Sequence, residues 1–282
     1  MGGRATSDLP TVTDGAPPIG WSGVTGALAT QCRVIRALIL RETKSRYGEH
    51  KLGFLWALIE PTLMVILFVA FFALTRSSSV SNMAVVPFMI TGIVPFSLFK
   101  DTMSQMQGAV TSNKALLGFP QVTTFDVVLA RGILDTAVIL CVLAIMLALA
   151  QLFGFEWRCE DPLGVLAVCG LLALTGMGFG FLFASITPVV PSMRQVTSLV
   201  FGRPLFLSSG LFFTAESLPP PVREWLLWNP LLHMMELMRD RFFVEFVTDH
   251  GSWSYAGSFA VTTFVVGLLV HQAMRKRAVI GL

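Results

Sequence analysis

The chain has 282 residues, of which 54% are hydrophobic and only 13% are charged. Soluble domains are about one quarter charged, so this balance excludes an ordinary soluble protein and predicts an integral membrane protein. The net charge of +3 does not by itself indicate a nucleic-acid partner, because the position of charges matters more than their sum.

The N-terminal part of the sequence divides into two segments. Residues 1–24 are rich in Gly, Pro, Ser and Thr and lack the apolar core of a secretory signal peptide, which predicts a flexible cytoplasmic tail. Residues 27–53 combine apolar side chains at helical spacing with cations on another face. This pattern predicts an amphipathic helix over 27–46 in the membrane interface, and a simple topology anchor is the alternative.

Apolar runs dominate the rest of the chain. A spanning helix needs about 20 mostly apolar residues. We therefore expect an all-α integral membrane domain over 25–282 with six transmembrane helices, at about 54–74, 85–107, 133–153, 162–187, 196–213 and 255–274.

The segment 214–246 precedes the last predicted span. It is too polar to span and too apolar for a free loop, which predicts a re-entrant pair of short helices. Trp225, Trp228 and Phe242 are expected at the level of the membrane interface, where aromatic side chains are enriched. We expect this helix pair to act as a gate or docking surface, with Glu224 and Arg239 accessible to an external partner.

The positive charges indicate the orientation. Most of the 20 Lys and Arg residues fall on the face that also carries both ends of the chain. Because cytoplasmic loops carry an excess of Lys and Arg, both termini are expected in the cytoplasm.

Two predicted spans carry a charged residue directly before a proline. Glu60 precedes Pro61 in the first span, and Arg203 precedes Pro204 in the fifth. Intramembrane charges are costly and usually face a bundle interior or a wet cavity, and proline kinks a helix. Glu60 and Arg203 either form a structural salt bridge or line a polar path, and the sequence leaves both open.

Other motifs point to packing. Gly176 and Gly180 form GxxxG in an apolar helix, which favours close helix contact. His233 and Glu236 share a helical face, and without a third ligand nearby a hydrogen bond is favoured over a metal site. The four cysteines show no CxxC spacing, so neither a disulfide framework nor a metal site is indicated.

Three stretches resemble a known family. They are RETKSRYGEHKLGFLWALIEP (41–61), GIVPF (92–96) and LLWNPLLHMMELMRD (226–240). They are similar to ABC-2 type permeases, and more narrowly to the permeases of group 2 capsular polysaccharide exporters of Gram-negative bacteria. The resemblance covers roughly residues 28–275.

The resemblance implies the membrane permease of an ATP-driven exporter in the bacterial inner membrane. It implies a homodimer, two separate ATPase subunits, a periplasmic co-polymerase-type adaptor and an outer-membrane channel. The cargo would be an acidic capsular polysaccharide on a phospholipid anchor, joined by a short Kdo linker. The sequence contains no GxxxxGK[ST] loop, so we expect no cofactor and no catalytic site in this chain, with ATP and Mg²⁺ on the partner.

Three alternatives to capsule export stay open. One is an exporter of another glycan, such as O-antigen or teichoic acid. The second is a secondary transporter that titrates Glu60, which is disfavoured because the sequence shows no internal repeats. The third is a membrane-bound acyl or glycosyl transferase, which is disfavoured because the sequence shows no catalytic constellation.

Candidate site residues follow from these expectations. Cations near the membrane surface attract anionic headgroups, and aromatic faces suit sugar rings. The expected entrance and path residues are Arg36, Arg41, Arg46, Tyr47, Lys51, Trp56, Glu60, Phe96, Phe99 and Arg203.

The ATPase contact is expected in two cytoplasmic loops, 111–122 and 187–196. Ser112 is predicted to cap a short helix there, and an ordinary connector is the alternative. The expected contact residues are Ser112, Lys114, Leu116, Leu117, Phe119, Pro191 and Arg194.

Overall fold

The computed structural model describes residues 21–47, 53–74, 79–80, 83–119 and 121–280. Most of the predicted tail 1–24 and the candidate residue Lys51 lie outside the described residues. The predicted interface helix begins earlier than expected, at Trp21, so the last residues of the predicted tail are helical.

Helices account for nearly all regular structure in the described residues. They are α1 (Trp21–Tyr47), α2 (Gly53–Leu74), α3 (Val85–Gln107), α4 (Ala109–Ser112), α5 (Thr124–Leu152), α6 (Pro162–Ile186), α7 (Met193–Phe201), α8 (Arg203–Ser208), α9 (Pro220–Leu226), α10 (Pro230–Phe242) and α11 (Trp253–Ile280). Two short 3-10 turns, Lys114–Gly118 and Ala215–Ser217, accompany them. The strands β1 (Ser79–Val80) and β2 (Met83–Ala84) pair antiparallel before α3.

Five described helices are long and apolar enough to cross a membrane. They are Leu55–Leu74, Val85–Gln107, Thr124–Leu152, Pro162–Ile186 and Trp253–Arg275. This confirms a mostly helical membrane protein. The third of them begins well before the predicted position 133, because Thr123 and Asp126 form a capping box: Asp126 N donates to Thr123 Oγ1 (3.3 Å), and Thr123 N donates to Asp126 Oδ2 (3.0 Å).

The predicted fifth span, 196–213, is not a single helix. It divides at Gly202, where φ −84° and ψ −113° interrupt the helix between α7 and α8. Pro204 lies in the first turn of α8, where its missing N–H costs nothing, although it prevents continuation from α7. After α8 the chain turns at Gly210, whose φ of 74° favours glycine.

The core forms around α3 and α6. A Cβ on Gly176 would lie 2.7 Å from the carbonyl oxygen of Phe99, and one on Gly180 would lie 2.7 Å from Cβ of Met106. The GxxxG motif therefore brings α6 against α3, which confirms the predicted close packing. On the opposite face of α6, a Cβ on Gly178 would lie 2.6 Å from the backbone N of Phe264 in α11, so α6 and α11 also pack closely.

Candidate functional site

A cavity of about 340 Å³ opens between α2, α3 and α5. One part of its lining is apolar and the other part is charged or polar. We call it the charged cavity. Its charged and polar lining is Arg46, Glu60, Ser97, Lys100, Asp101, Gln105 and Asp135, with Trp56 at the side.

Ion pairs organise the charged part of the cavity. Arg46 of α1 donates to Asp135 of α5 at 3.1 Å and also contacts Gln105. Lys100 lies 3.2 Å from Asp101. Asp135 and Asp101 therefore neutralise the charges of Arg46 and Lys100.

Glu60 adds a third carboxylate to the charged cavity. No residue in the described part of the chain lies within ion-pair distance of it. The buried Asp135 has an Oδ2 atom without a hydrogen-bond partner in that same part of the chain. Unmatched charges are costly in a dry interior, so this surface suits contact with water or with a polar ligand.

The structure brings four predicted path residues together. Arg46, Trp56, Glu60 and Phe96 all line the charged cavity, and Trp56 is 65% exposed. Phe99 does not line it. Its side chain packs among the rings of Phe96, Phe179 and Phe201. That position serves the core.

The other predicted path residues lie outside the charged cavity. Arg41 donates to Asn113 at 2.9 Å, which fastens α1 to the segment after α4. Arg36 is exposed on α1, and Tyr47 ends that helix. Arg203 is exposed at the start of α8 and forms no ion pair with Glu60 among the described residues.

The prediction that the cations of α1 all face headgroups therefore needs correction. Arg46 and Arg41 point into the protein, where they meet hydrogen-bond acceptors. Glu42 on the same helix accepts from Arg131 of α5, with 2.8 Å to Nε. The polar face of α1 thus contacts the helix bundle as well as the surface.

Sequence reasoning missed five polar residues of the charged cavity. Four of them lie on α3 at the positions i, i+3, i+4 and i+8 of one helical face, and this periodicity was an available signal: Ser97, Lys100, Asp101 and Gln105. Asp135 lies within an apolar run of α5, where an isolated carboxylate is itself a signal of function.

The two predicted ATPase-contact loops lie side by side. Nη2 of Arg194 donates to Oγ1 of Thr111 at 3.1 Å. The buried amide of Gln107 donates to Thr187 and accepts from Thr197, both at 3.0 Å. These bonds connect the end of α3 to both ends of the 187–196 loop.

Most predicted contact side chains in these loops are accessible. Phe119 is 60% exposed, and Lys114, Pro191 and Arg194 are also exposed. Leu116 and Leu117 are half-buried.

The predicted capping role of Ser112 is wrong. Ser112 ends α4, and its hydroxyl donates backwards to the carbonyl of Gly108 at 2.9 Å. The following 3-10 turn, Lys114–Gly118, begins after Asn113, which makes no side-chain capping bond.

A buried arginine organises the turn between α8 and α9. Arg239 of α10 is 0% exposed and donates to the carbonyls of Phe213 (2.8 Å) and Leu211 (3.0 Å). Its guanidinium also stacks over the ring of Phe88 at 3.8 Å. Arg239 is therefore inaccessible to a partner, contrary to expectation, whereas Glu224 is exposed.

The histidine and acid on α10 make hydrogen bonds. His233 Nε2 lies 2.8 Å from the carbonyl of Leu227, and Glu236 accepts from the backbone N of Ala215 at 2.9 Å. This agrees with the preference for hydrogen bonds over a metal pair. Trp225 and Trp228 are exposed, whereas Phe242 is buried against Trp157 and so does not face the membrane interface as predicted.

Residues 33–243 match the family model described as ABC-2 type transporter. The chain is 26% identical to the polysialic acid transport protein KpsM of Escherichia coli, over 86% of this chain and 93% of that protein. It is 31% identical to the capsule polysaccharide export inner-membrane protein CtrC of Neisseria meningitidis serogroup B, over 80% and 86%. It is 27% identical to the capsule polysaccharide export inner-membrane protein BexB of Haemophilus influenzae, over 89% and 94%.

Proposed function

The chain belongs to the ABC-2 type transporter family, and we propose that it is the membrane permease of an ATP-driven exporter of lipid-linked capsular polysaccharide. The polymer moves from the cytoplasm to the periplasm across the bacterial inner membrane. Relatives named for capsule polysaccharide export and for polysialic acid transport support this cargo, and each aligns over most of its own length. Polysialic acid is an acidic glycan, so we propose an acidic cargo here.

The observation that carries the proposal is the charged cavity among the membrane helices. A bundle that only needed to be stable would gain little from Glu60, Asp101 and Asp135 at this depth, because intramembrane charges are costly. Such charges mark polar pathways in membrane proteins. Beside them Trp56 offers an exposed aromatic face on which a sugar ring can stack.

We further propose that two copies of the chain form the path. One face of α2 exposes Leu63, Ile66, Leu67 and Phe71, and the charged cavity borders the same helix. A second copy that covers part of this face encloses the cavity, while lipid covers the remainder. An acidic polymer then passes between the copies in a wet environment.

The energy source in this proposal is a separate pair of ATPase subunits that bind ATP and Mg²⁺. They contact Phe119, Lys114 and the neighbouring 187–196 loop, whose exposed side chains suit a docking surface. On the opposite side, the exposed Trp225 and Trp228 suit contact with the interface or a periplasmic adaptor, which leads to an outer-membrane channel.

The proposed topology places both termini in the cytoplasm. Six crossings then require that α7, α8 and the turn after them together make the fifth crossing. The α9–α10 pair lies in the outer half of the membrane as a re-entrant unit. Arg239 of α10 satisfies the carbonyls of Leu211 and Phe213 in the irregular turn that precedes it.

Gene deletion with complementation tests the function. We expect loss of surface polysaccharide, accumulation of lipid-linked polymer inside the cell, and recovery of export with the wild-type chain. The control is a strain that keeps the wild-type permease and carries a substitution in the phosphate-binding loop of the ATPase subunit that copurifies with it. Export should stop in this strain while the permease remains in the membrane. Normal surface polysaccharide after deletion contradicts the proposal.

A further inference from the structure

A second cavity, of about 490 Å³, lies at the C-terminal end of α3, between α5 and α7. Lys100, Arg131 and Arg194 line it, and no carboxylate of the described residues does. We call it the cationic cavity. Its other polar lining consists of Ser104, Gln105, Gln107, Ser112, Thr197 and Ser198.

Two guanidinium groups converge on one point of the cationic cavity. A Cβ built on Gly108 would lie 3.1 Å from Nη2 of Arg194 and 3.7 Å from Nη1 of Arg131. Both guanidinium groups therefore border the same point, and two positive charges beside one point favour an anion there. The missing side chain of Gly108 keeps the space open.

The protein itself satisfies these two arginines incompletely. Glu42 accepts from both Nε (2.8 Å) and Nη2 of Arg131, which leaves Nη1 with long contacts only, 3.5 Å to the carbonyl of Gln105 and 3.4 Å to Ser112 Oγ. Nη2 of Arg194 donates to the neutral hydroxyl of Thr111. Lys100 is paired with Asp101 and Arg131 with Glu42, whereas no carboxylate of the described residues lies within ion-pair distance of Arg194. Arg194 therefore supplies the excess positive charge of this cavity.

We propose that the cationic cavity binds an oxyanion, a carboxylate or phosphate, at the lipid-linked end of the cargo. This rests on the proposed function and assigns a site to the acidic group of the cargo. An oxyanion accepts charge-assisted hydrogen bonds from both guanidinium groups and removes their repulsion. The hydroxyls of Ser104 and Ser198 add neutral donors.

The position of the cationic cavity gives it a role in the export cycle. Lys100 and Gln105 line both cavities, so the two adjoin. The charged cavity carries an excess carboxylate, Glu60, and therefore binds an anion less tightly. An acidic group is held first in the cationic cavity and is released readily as it advances into the charged cavity.

A binding experiment on the intact permease–ATPase complex in detergent tests the site. The probes are N-acetylneuraminate, a short-chain phosphatidylglycerol and inorganic phosphate, each titrated by calorimetry. Arg194→Gln should weaken binding about tenfold, the loss expected for one charge-assisted bond. Arg194→Lys should retain part of the affinity, and binding should fall as ionic strength rises.

Two further variants separate this site from charge in general. Gly108→Ala places a methyl group where the guanidinium groups meet, keeps both charges and should also weaken binding; only the flexible end of Arg194 has to move to accommodate it. Arg158→Gln removes an exposed arginine outside the cationic cavity and should leave affinity unchanged.

Each outcome has a defined meaning. Binding of the sugar acid alone assigns the site to the glycan, binding of the phospholipid alone assigns it to the lipid anchor, and binding of all three probes assigns it to oxyanions in general. Equal affinity of Arg194→Gln and wild type, or no binding of any probe by a complex that still exports polysaccharide, overturns the inference and leaves the proposed function standing. Unchanged surface polysaccharide after deletion of the gene overturns the function instead.

Discussion

Arg46 of α1 donates to Asp135 of α5 across 3.1 Å, and the same guanidinium contacts Gln105 of α3. One side chain therefore fastens the interfacial helix to two helices that line the charged cavity. Asp135 is buried, and Arg46 is only partly exposed. Removal of either residue therefore leaves the charge of the other without its partner.

Arg46→Gln should lower the unfolding temperature of the purified protein by several degrees. The substitution leaves the buried Asp135 carboxylate without its cation, and breaking a buried pair in this way costs about 3–5 kcal/mol, less where one partner is partly exposed. Arg46→Gln/Asp135→Asn should recover most of the loss, because neither charge is left alone.

Thermal unfolding in detergent measures both proteins. Arg33→Gln is the control, since Arg33 is exposed on α1 and bonds only within that helix. If the double variant is as unstable as the single one, the pair does not fasten α1 in the way that the geometry indicates.

Gly178→Ala should destabilise the protein by about 1–3 kcal/mol, the usual cost of overpacking. A Cβ there would lie 2.6 Å from the backbone N of Phe264 on α11, and a backbone atom cannot swing aside. Gly170→Ala on the same helix is the matched control, because a Cβ at that position meets nothing within 4 Å. Equal unfolding temperatures for the two variants would contradict close α6–α11 packing.

Local sequence signals predicted much of the fold. Apolar length predicted most of the membrane helices, and GxxxG predicted a close helix contact, although not that the partner would be α3. The early start of α5 also has a local signal, the capping box of Thr123 and Asp126. The apolar run begins only after this box, so apolar length alone placed the start of the helix too late. The break at Gly202 lies in an apolar stretch whose periodicity does not distinguish one helix from two.

The candidate site was less predictable, for a physical reason. Amphipathic spacing shows that the cations of α1 share a face, but not what that face meets. The partners of Glu42 and Arg46 lie on α5, 89 residues further along the chain. Only the tertiary fold determines which cations face lipid headgroups and which neutralise buried carboxylates.

Phe119→Asp should reduce binding of the proposed ATPase subunit without removing the permease from the membrane. Phe119 is exposed next to the 3-10 turn Lys114–Gly118, and a carboxylate there makes an apolar docking contact unfavourable. Phe153→Asp is the control, because Phe153 is similarly exposed at the far end of α5. Copurification of the ATPase and surface polysaccharide are the measurements, and wild-type values for Phe119→Asp would exclude this docking surface.

Glu60 and Arg203 should act independently in export. Glu60 lines the charged cavity, whereas Arg203 lies exposed at the start of α8, and no ion pair joins them in the described part of the chain. Phe206 lies one helical turn after Arg203 and lines the charged cavity. Arg203 itself therefore lies close to the edge of that cavity.

Arg203→Met should therefore lower surface polysaccharide at normal membrane abundance of the permease. Glu60→Gln should lower it separately, since it removes the unmatched carboxylate of the cavity. Independent effects add as free energies, so the relative export of the double variant should equal the product of the two single values. Surface polysaccharide, normalised to permease in the membrane, is the measurement. Full export by the double variant, when each single variant is impaired, would instead mean that the two charges brace one another and that Arg203 serves packing rather than cargo.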